Sequence, residues 1–199
     1  MRQNRNRFVI GITGGIGSGK STILDILHED FGAEIVQADG IEKLLTAKGG
    51  GAYEPVRELF GPQAVLPDGG LDRGYIASQV YADREKLKAL EAVIHPAVRE
   101  YLRKKTLEDG PLLVLEAALP VEAGFKELCD ETWYIYVKRE TRIERLMRSR
   151  GYTRKKCLDI MSNQLTGRQF VLLADRVIDN NGSVENVRKR IHRILGNLL

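Results

Sequence analysis

Residues 14–21 read Gly14, Gly15, Ile16, Gly17, Ser18, Gly19, Lys20, Ser21, with an apolar run at 8–13 before them and an amphipathic run from Thr22 after them. A strand, a glycine-rich turn ending in Gly-Lys-Ser, and then a helix make a P-loop, and that order commits the chain to an α/β sheet. A backbone wrapped round phosphates must aim several N–H groups inward, at φ/ψ values that only glycine adopts cheaply. The phosphates then lie at a helix N-terminus, which carries unsatisfied N–H groups and about half a positive charge. Lys20 adds a full charge near the β and γ phosphates, and Ser21 offers a hydroxyl to Mg²⁺. Gly14 to Thr22 are therefore expected to hold a nucleoside triphosphate.

Further apolar runs of strand length recur at 33–38, 112–116, 132–137 and 176–179, with helical patterns between them. Short buried strands alternating with helices imply a five-stranded parallel sheet covered on both faces and joined by right-handed crossovers. The first helix is expected over about 21–30, with Ile23, Ile26 and Leu27 facing inward and Gly32 just past its end. The last is expected to start at Ser183 as N-cap, burying Val184, Val187, Ile191, Ile194, Leu195 and Leu198 at the helical period. Between the second and third strands lie residues 40–106, a helical region with no convincing strand, in segments 40–45, 53–60 and 72–106 with a turn at 67–70. That is far longer than a crossover helix, and such insertions carry substrate recognition in α/β enzymes. The expected organisation is a nucleotide-binding core (1–39, 107–138 and 170–199), a helical acceptor region (40–106) and an arginine-rich lid (139–169).

With 199 residues, 43% of them hydrophobic, the chain can bury one good core. No run approaches a transmembrane span or a secretory signal, so a cytoplasmic protein with no membrane partner is expected. Cys129 and Cys157 have no metal-ligand spacing and read as reduced structural thiols. A net charge of +4 suits an anionic ligand but is too small to indicate nucleic acid.

A P-loop alone does not separate kinases from GTPases, motors or helicases. Asp39 stands at the carboxyl end of the second strand, where the crevice of a doubly wound sheet receives ligands. It suits proton acceptance from an attacking hydroxyl, or Mg²⁺ binding; the alternative is an ordinary N-cap for the helix at 40–45. Glu116 closes the third strand in the manner of a Walker B carboxylate, or makes an internal ion pair, as does Glu122 nearby. His95 before Pro96 is a ligand-binding histidine or a helix boundary. Arg142, Arg145 and Arg148 recur every third residue and share a helix face, either a solvated one or a lid that neutralises phosphates. Asp30-Phe31-Gly32 lacks an H-R-D partner, and Asp179 to Gly182 lacks a base-reading N-K-x-D, so neither carries function.

Beyond the P-loop, the chain contains Ala38-Asp39, L-F-G at 59–61, D-G-G-L-D-R at 68–73, L-E-A-V-I-H-P at 90–96, E-A-G at 122–124, R-L-M at 145–147, Gln164, and A-D-R-V-I-D-N-N-G at 174–182. In this order and spacing the set resembles the dephospho-CoA kinase family, from about residue 8 to 195. The resemblance implies transfer of the γ-phosphoryl of ATP to the ribose 3′-hydroxyl of dephospho-CoA, with Asp39 as base. It also implies Arg145 and Arg148 as lid arginines, the region around Arg73 and His95 toward the acceptor, and Asn180 near the adenine; Glu116 is expected on the substrate side as well. Gln37 replaces the first acid of the family's D-A-D. Ser149 stands where a second lid arginine is usual, and Phe170 where a basic residue is usual, with Arg168 nearest. Which lid arginine reaches the phosphates stays open. A monomer or weak homo-oligomer with no nucleic-acid partner is expected. The competing readings are a related P-loop kinase for a nucleoside, nucleotide or small alcohol, and a nucleotide-dependent regulatory or nucleic-acid-binding module.

Overall fold

A computed structural model describes residues 7–117 and 125–198; the Asp39 side chain is also outside the described set. It comprises two compact units, one spanning Gln37–Lys105 and the other made of the described residues on either side.

The larger unit is built on a five-stranded parallel sheet. Its strands are β1 (Phe8–Thr13), β2 (Glu34–Gln37), β3 (Leu112–Glu116), β4 (Glu131–Tyr136) and β5 (Arg176–Asp179), in the order β2-β3-β1-β4-β5. The expected strands are all present, and β2 is two residues shorter than its apolar run. The register pairs Ile12 with Glu116, Thr13 with Tyr134 and Tyr136 with Asp179, so the carboxyl ends line up along one rim. The connection leaving β1 travels toward β2 and that leaving β3 travels toward β4. The switch point, where such sheets take their ligands, therefore falls between β1 and β3.

Alternate strand residues explain the core. Ile10 and Ile12, Leu112 and Val114, and Trp133 and Ile135 share one sheet face and pack against α1 (Lys20–Phe31) and α9 (Val184–Leu195). Helix α1 contributes Ile23, Leu24, Ile26 and Leu27, and ends at Gly32 with φ 64°, the left-handed stop expected from the sequence. Helix α9 is capped by Ser183, whose side chain accepts from Asn186 N–H. Val184 was expected on its inner face but is 53% exposed: at the first helical position it precedes the stretch of α9 that lies against the sheet. On the other face Gly11 leaves room for a 3₁₀ turn at Phe125–Leu128. A Cβ on Gly11 would come within 2.8 Å of Cys129 Sγ.

The larger unit also carries α6 (Arg139–Arg150), α7 (Arg154–Ser162) and α8 (Gly167–Leu173). Ile143 and Leu146 of α6 bury against Cys157 of α7, a structural thiol as expected. Phe170 of α8 stacks on Tyr134 at 4.9 Å between centroids.

The smaller unit holds α2 (Ala38–Leu45), α3 (Tyr53–Phe60), α4 (Arg73–Ala82) and most of α5 (Arg84–Leu107). Two alternatives read from the sequence are corrected here, at Asp39 and at Pro96. Helix α2 begins at Ala38 with Gln37 as N-cap, so Asp39 lies in its first turn and is not the cap. The segment 72–106 divides into two helices at Asp83, which turns extended (φ −139°, ψ 110°) and accepts from Glu85 N–H at 2.9 Å, starting α5 afresh. Pro96 marks no boundary: α5 runs through it, because helix on both sides tolerates the loss of one N–H.

Candidate active site

The P-loop leaves β1 and enters α1. Gly17 and Gly19 take φ 77° and 80°, left-handed values that other residues adopt only under strain. Ser18 N–H turns back to Gly15 O at 3.1 Å, and the first α1 bond is Ile23 N–H to Gly19 O at 3.4 Å. Among the described residues, the N–H groups of Gly17, Gly19, Lys20, Ser21 and Thr22 have no acceptor in the protein. Consecutive donors of this kind at a helix start form an anion cradle. The chemistry of the loop thus fits a polyphosphate, and the exposed Ser21 hydroxyl beside it fits a hard cation.

Lys20 reaches back over the loop, donating to Gly14 O at 2.9 Å and pairing with Glu116 Oε1 at 3.5 Å. The β1–β3 register explains that pair, since Glu116 lies level with Ile12 at the strand ends. The ion pair allowed for Glu116 from sequence is therefore present, at the switch point, with both side chains mostly buried.

Three side chains grip the loop from the far side. The buried Asn180 at the end of β5 donates from Nδ2 to Ser18 O at 2.8 Å, and its own carbonyl accepts from Arg145 Nη2 at 2.9 Å. Arg142 donates from Nε to Ile16 O at 2.8 Å and from Nη2 to Gln164 Oε1 at 3.0 Å, and Gln164 Oε1 also accepts Ile16 N–H at 3.0 Å. Burial pushes the Arg142 guanidinium below its ordinary value, though an arginine keeps its charge, and burial pushes the Tyr134 phenol up. Ser18 Oγ is buried without a partner beside Gly14.

Of the residues expected at the site, Gly14 to Thr22, Lys20, Glu116, Asn180 and Arg145 come together. Arg148 does not join them. It lies exposed on α6, because each step of three residues lags a full turn by about 60° and carries it off the face that Arg142 and Arg145 share. Arg142 takes a place at the loop instead. Sequence spacing put it in the arginine stripe but gave no sign that it bonds Ile16, which is 126 positions away. Ile16, expected to help cradle phosphate, has both backbone groups engaged within the protein.

In the smaller unit Arg73 opens α4 and donates to Lys43 O at 3.3 Å and Thr46 Oγ1 at 3.1 Å, a cation at the carboxyl end of α2. His95 is half-buried on α5. Asp39 follows β2 directly, in the first turn of α2. Glu122 lies outside the described residues.

The sequence profile of the dephospho-CoA kinase family matches residues 8–186. A dephospho-CoA kinase of Carboxydothermus hydrogenoformans is 40% identical over 191 residues, covering 94% of this chain and 92% of that protein. Among solved structures, a Thermus thermophilus protein is 33% identical with a TM-score of 0.78, covering 98% of this chain and 100% of that one. A Campylobacter jejuni dephospho-CoA kinase, 18% identical, shares the P-loop kinase fold with a TM-score of 0.69 over 96% of this chain and 97% of its own. The chain belongs to the dephospho-CoA kinase family.

Proposed function

We propose that the protein phosphorylates the ribose 3′-hydroxyl of dephospho-CoA with ATP, giving coenzyme A and ADP, the last step of coenzyme A synthesis. The observation that carries this reading is a P-loop with free N–H donors, Lys20 and Glu116 meeting at the switch point, in a chain of this family.

In this reading the N–H groups of Gly17 and of Gly19 to Thr22 and the Lys20 ammonium hold the triphosphate, and Ser21 holds Mg²⁺. The metal ion, when bound, neutralises phosphate charge and orients the chain of phosphates. Asp39 accepts the proton of the 3′-hydroxyl as its oxygen bonds to the γ-phosphorus and the bond from that phosphorus to the β–γ bridging oxygen breaks. ADP leaves with that oxygen. Because the transition state is loose, the protein chiefly positions and neutralises, and Lys20 and Arg145 serve that end. Arg148 is exposed on α6 and is the weaker of the two assigned arginines. Arg73, His95 and Glu116 are assigned toward the acceptor. Arg73 orders α2 directly, so its effect on acceptor binding runs at least partly through that helix. Asn180 is assigned to the nucleotide end of the site through its bond to the P-loop.

Acceptor competition tests the proposal. Dephospho-CoA, shikimate and a set of nucleosides are offered together with limiting MgATP, and the phosphorylated products are separated by mass. Phosphate should appear on dephospho-CoA alone; phosphate mainly on another alcohol would replace this acceptor assignment.

A further inference from the structure

Ile16 lies inside the P-loop, yet its peptide groups face away from the cradle and into a ring of three hydrogen bonds. Its N–H donates to Gln164 Oε1 at 3.0 Å, its carbonyl accepts from Arg142 Nε at 2.8 Å, and Arg142 Nη2 closes the ring on the same Gln164 oxygen at 3.0 Å. The Ile16 side chain packs on the Ile143, Leu146 and Cys157 cluster between α6 and α7. Gly15 completes the fit, since a Cβ there would run into Arg142 Nη2 and into Gln164 Oε1.

Gln164 is itself held firmly. Its N–H donates to Met161 O at 3.2 Å, and α8 starts just beyond it behind the Thr166–Gln169 capping box, pinned to β4 by the Phe170–Tyr134 stack. Arg142 makes no ion pair among the described residues, so its charge-assisted donors go to neutral acceptors at the loop.

We propose that Arg142 and Gln164 are positioning residues: they hold the Ile16 peptide, and so set the direction of the N–H groups of Gly17 and of Gly19 to Thr22 that receive the triphosphate. This rests on the phosphoryl-transfer reading above. The chemistry is specific to the side chains. A planar guanidinium serves two acceptors in one fixed geometry, which a lysine ammonium does not reproduce. Gln164 acts here through one oxygen as an acceptor, so glutamate can keep both bonds while leucine loses both.

The test measures MgATP affinity by displacement of a fluorescent ATP analogue, which is independent of the acceptor, together with KM for dephospho-CoA and thermal unfolding. Arg142→Ala and Gln164→Leu should each weaken MgATP binding about tenfold, the loss expected when a charge-assisted hydrogen bond is removed. The double variant should be no weaker than the poorer single, because both remove one constraint. KM for dephospho-CoA should stay unchanged, Arg142→Lys should fail to restore affinity, and Gln164→Glu should bind MgATP better than Gln164→Leu.

Wild-type affinity in either truncation, or losses that add in the double variant, would overturn the proposal. If Arg142→Ala does not fold, full affinity in folded Arg142→Lys would overturn it as well. A wild-type protein that binds MgATP but transfers nothing to dephospho-CoA would refute the acceptor reading alone, and the binding series would still decide on Arg142 and Gln164. A wild-type protein that binds no MgATP would overturn both.

Discussion

Gly19 is required twice over. It sits at φ 80° and ψ 33° as the N-cap of α1, and a Cβ there would collide with Asn180 Nδ2, the group that holds Ser18 O. Gly19→Ala therefore strains the backbone and pushes Asn180 off the loop, at a cost on the order of 1–3 kcal/mol. The expected result is a nucleotide affinity lower by about tenfold or more, read by titration with MgATP, with far-UV circular dichroism unchanged. Loop glycines of this kind were legible in the sequence because the backbone angles they adopt exclude most alternatives. The bonds from Arg142 and Gln164 to Ile16 were not legible: they join residues 126 and 148 positions apart, and no local pattern records such a meeting. Lys20 lies between these cases. Its charge was legible from the motif, whereas its partner Glu116 follows from the β1–β3 register.

At the scale of elements, α8 is fastened by a cap and a ring. The Phe170 ring is buried and parallel to that of Tyr134, with 9° between their planes. Phe170→Ala should remove the stack and leave a cavity, at a cost of about 3 kcal/mol. Its effect should appear first as faster hydrogen exchange in α7 and α8, with β1 and β3 protected as before; uniform loss of protection across the sheet would contradict a local fastening. Strands were the most legible elements, since buried parallel strands read as short apolar runs. The break at Asp83 was harder to see: no glycine or proline marks it, and the signal is an aspartate followed by Arg84-Glu85-Lys86, an N-cap pattern within the segment 72–106. Pro96 misled in the opposite direction, because a 24-residue helix absorbs one missing donor.

For the whole molecule, the sheet's response to acid is set partly by Glu131. Arg176 on β5 donates to its carboxylate at 2.7 and 3.0 Å and Trp133 Nε1 donates at 2.8 Å, and the Arg176 bond in particular holds the Glu131 carboxyl below its ordinary value. A carboxyl depressed in the folded state binds fewer protons than it does unfolded. Its stabilisation is complete above the unfolded value of about 4.3 and is lost as pH falls through the lower folded value. Glu131→Gln should be less stable than the wild type at neutral pH, with the gap narrowing below about pH 4. Urea unfolding at several pH values checks this, and a gap independent of pH would contradict it. No helix among the described residues is long and apolar enough to cross a membrane. The fold class was legible at this scale from the P-loop and the alternation of strands with helices, and the acceptor came from the resemblance of scattered motifs, not from the physics of any one of them.

The most direct test of the account is to incubate the purified protein with MgATP and dephospho-CoA, measuring ADP release and the mass of the acceptor, with Lys20→Ala and Asp39→Asn alongside. The account predicts a product one phosphate heavier and turnover lower by about a hundredfold or more in each variant, the scale for losing an electrostatic stabiliser or a general base. An unmodified acceptor with MgATP bound, or near-normal turnover in Asp39→Asn, would contradict it.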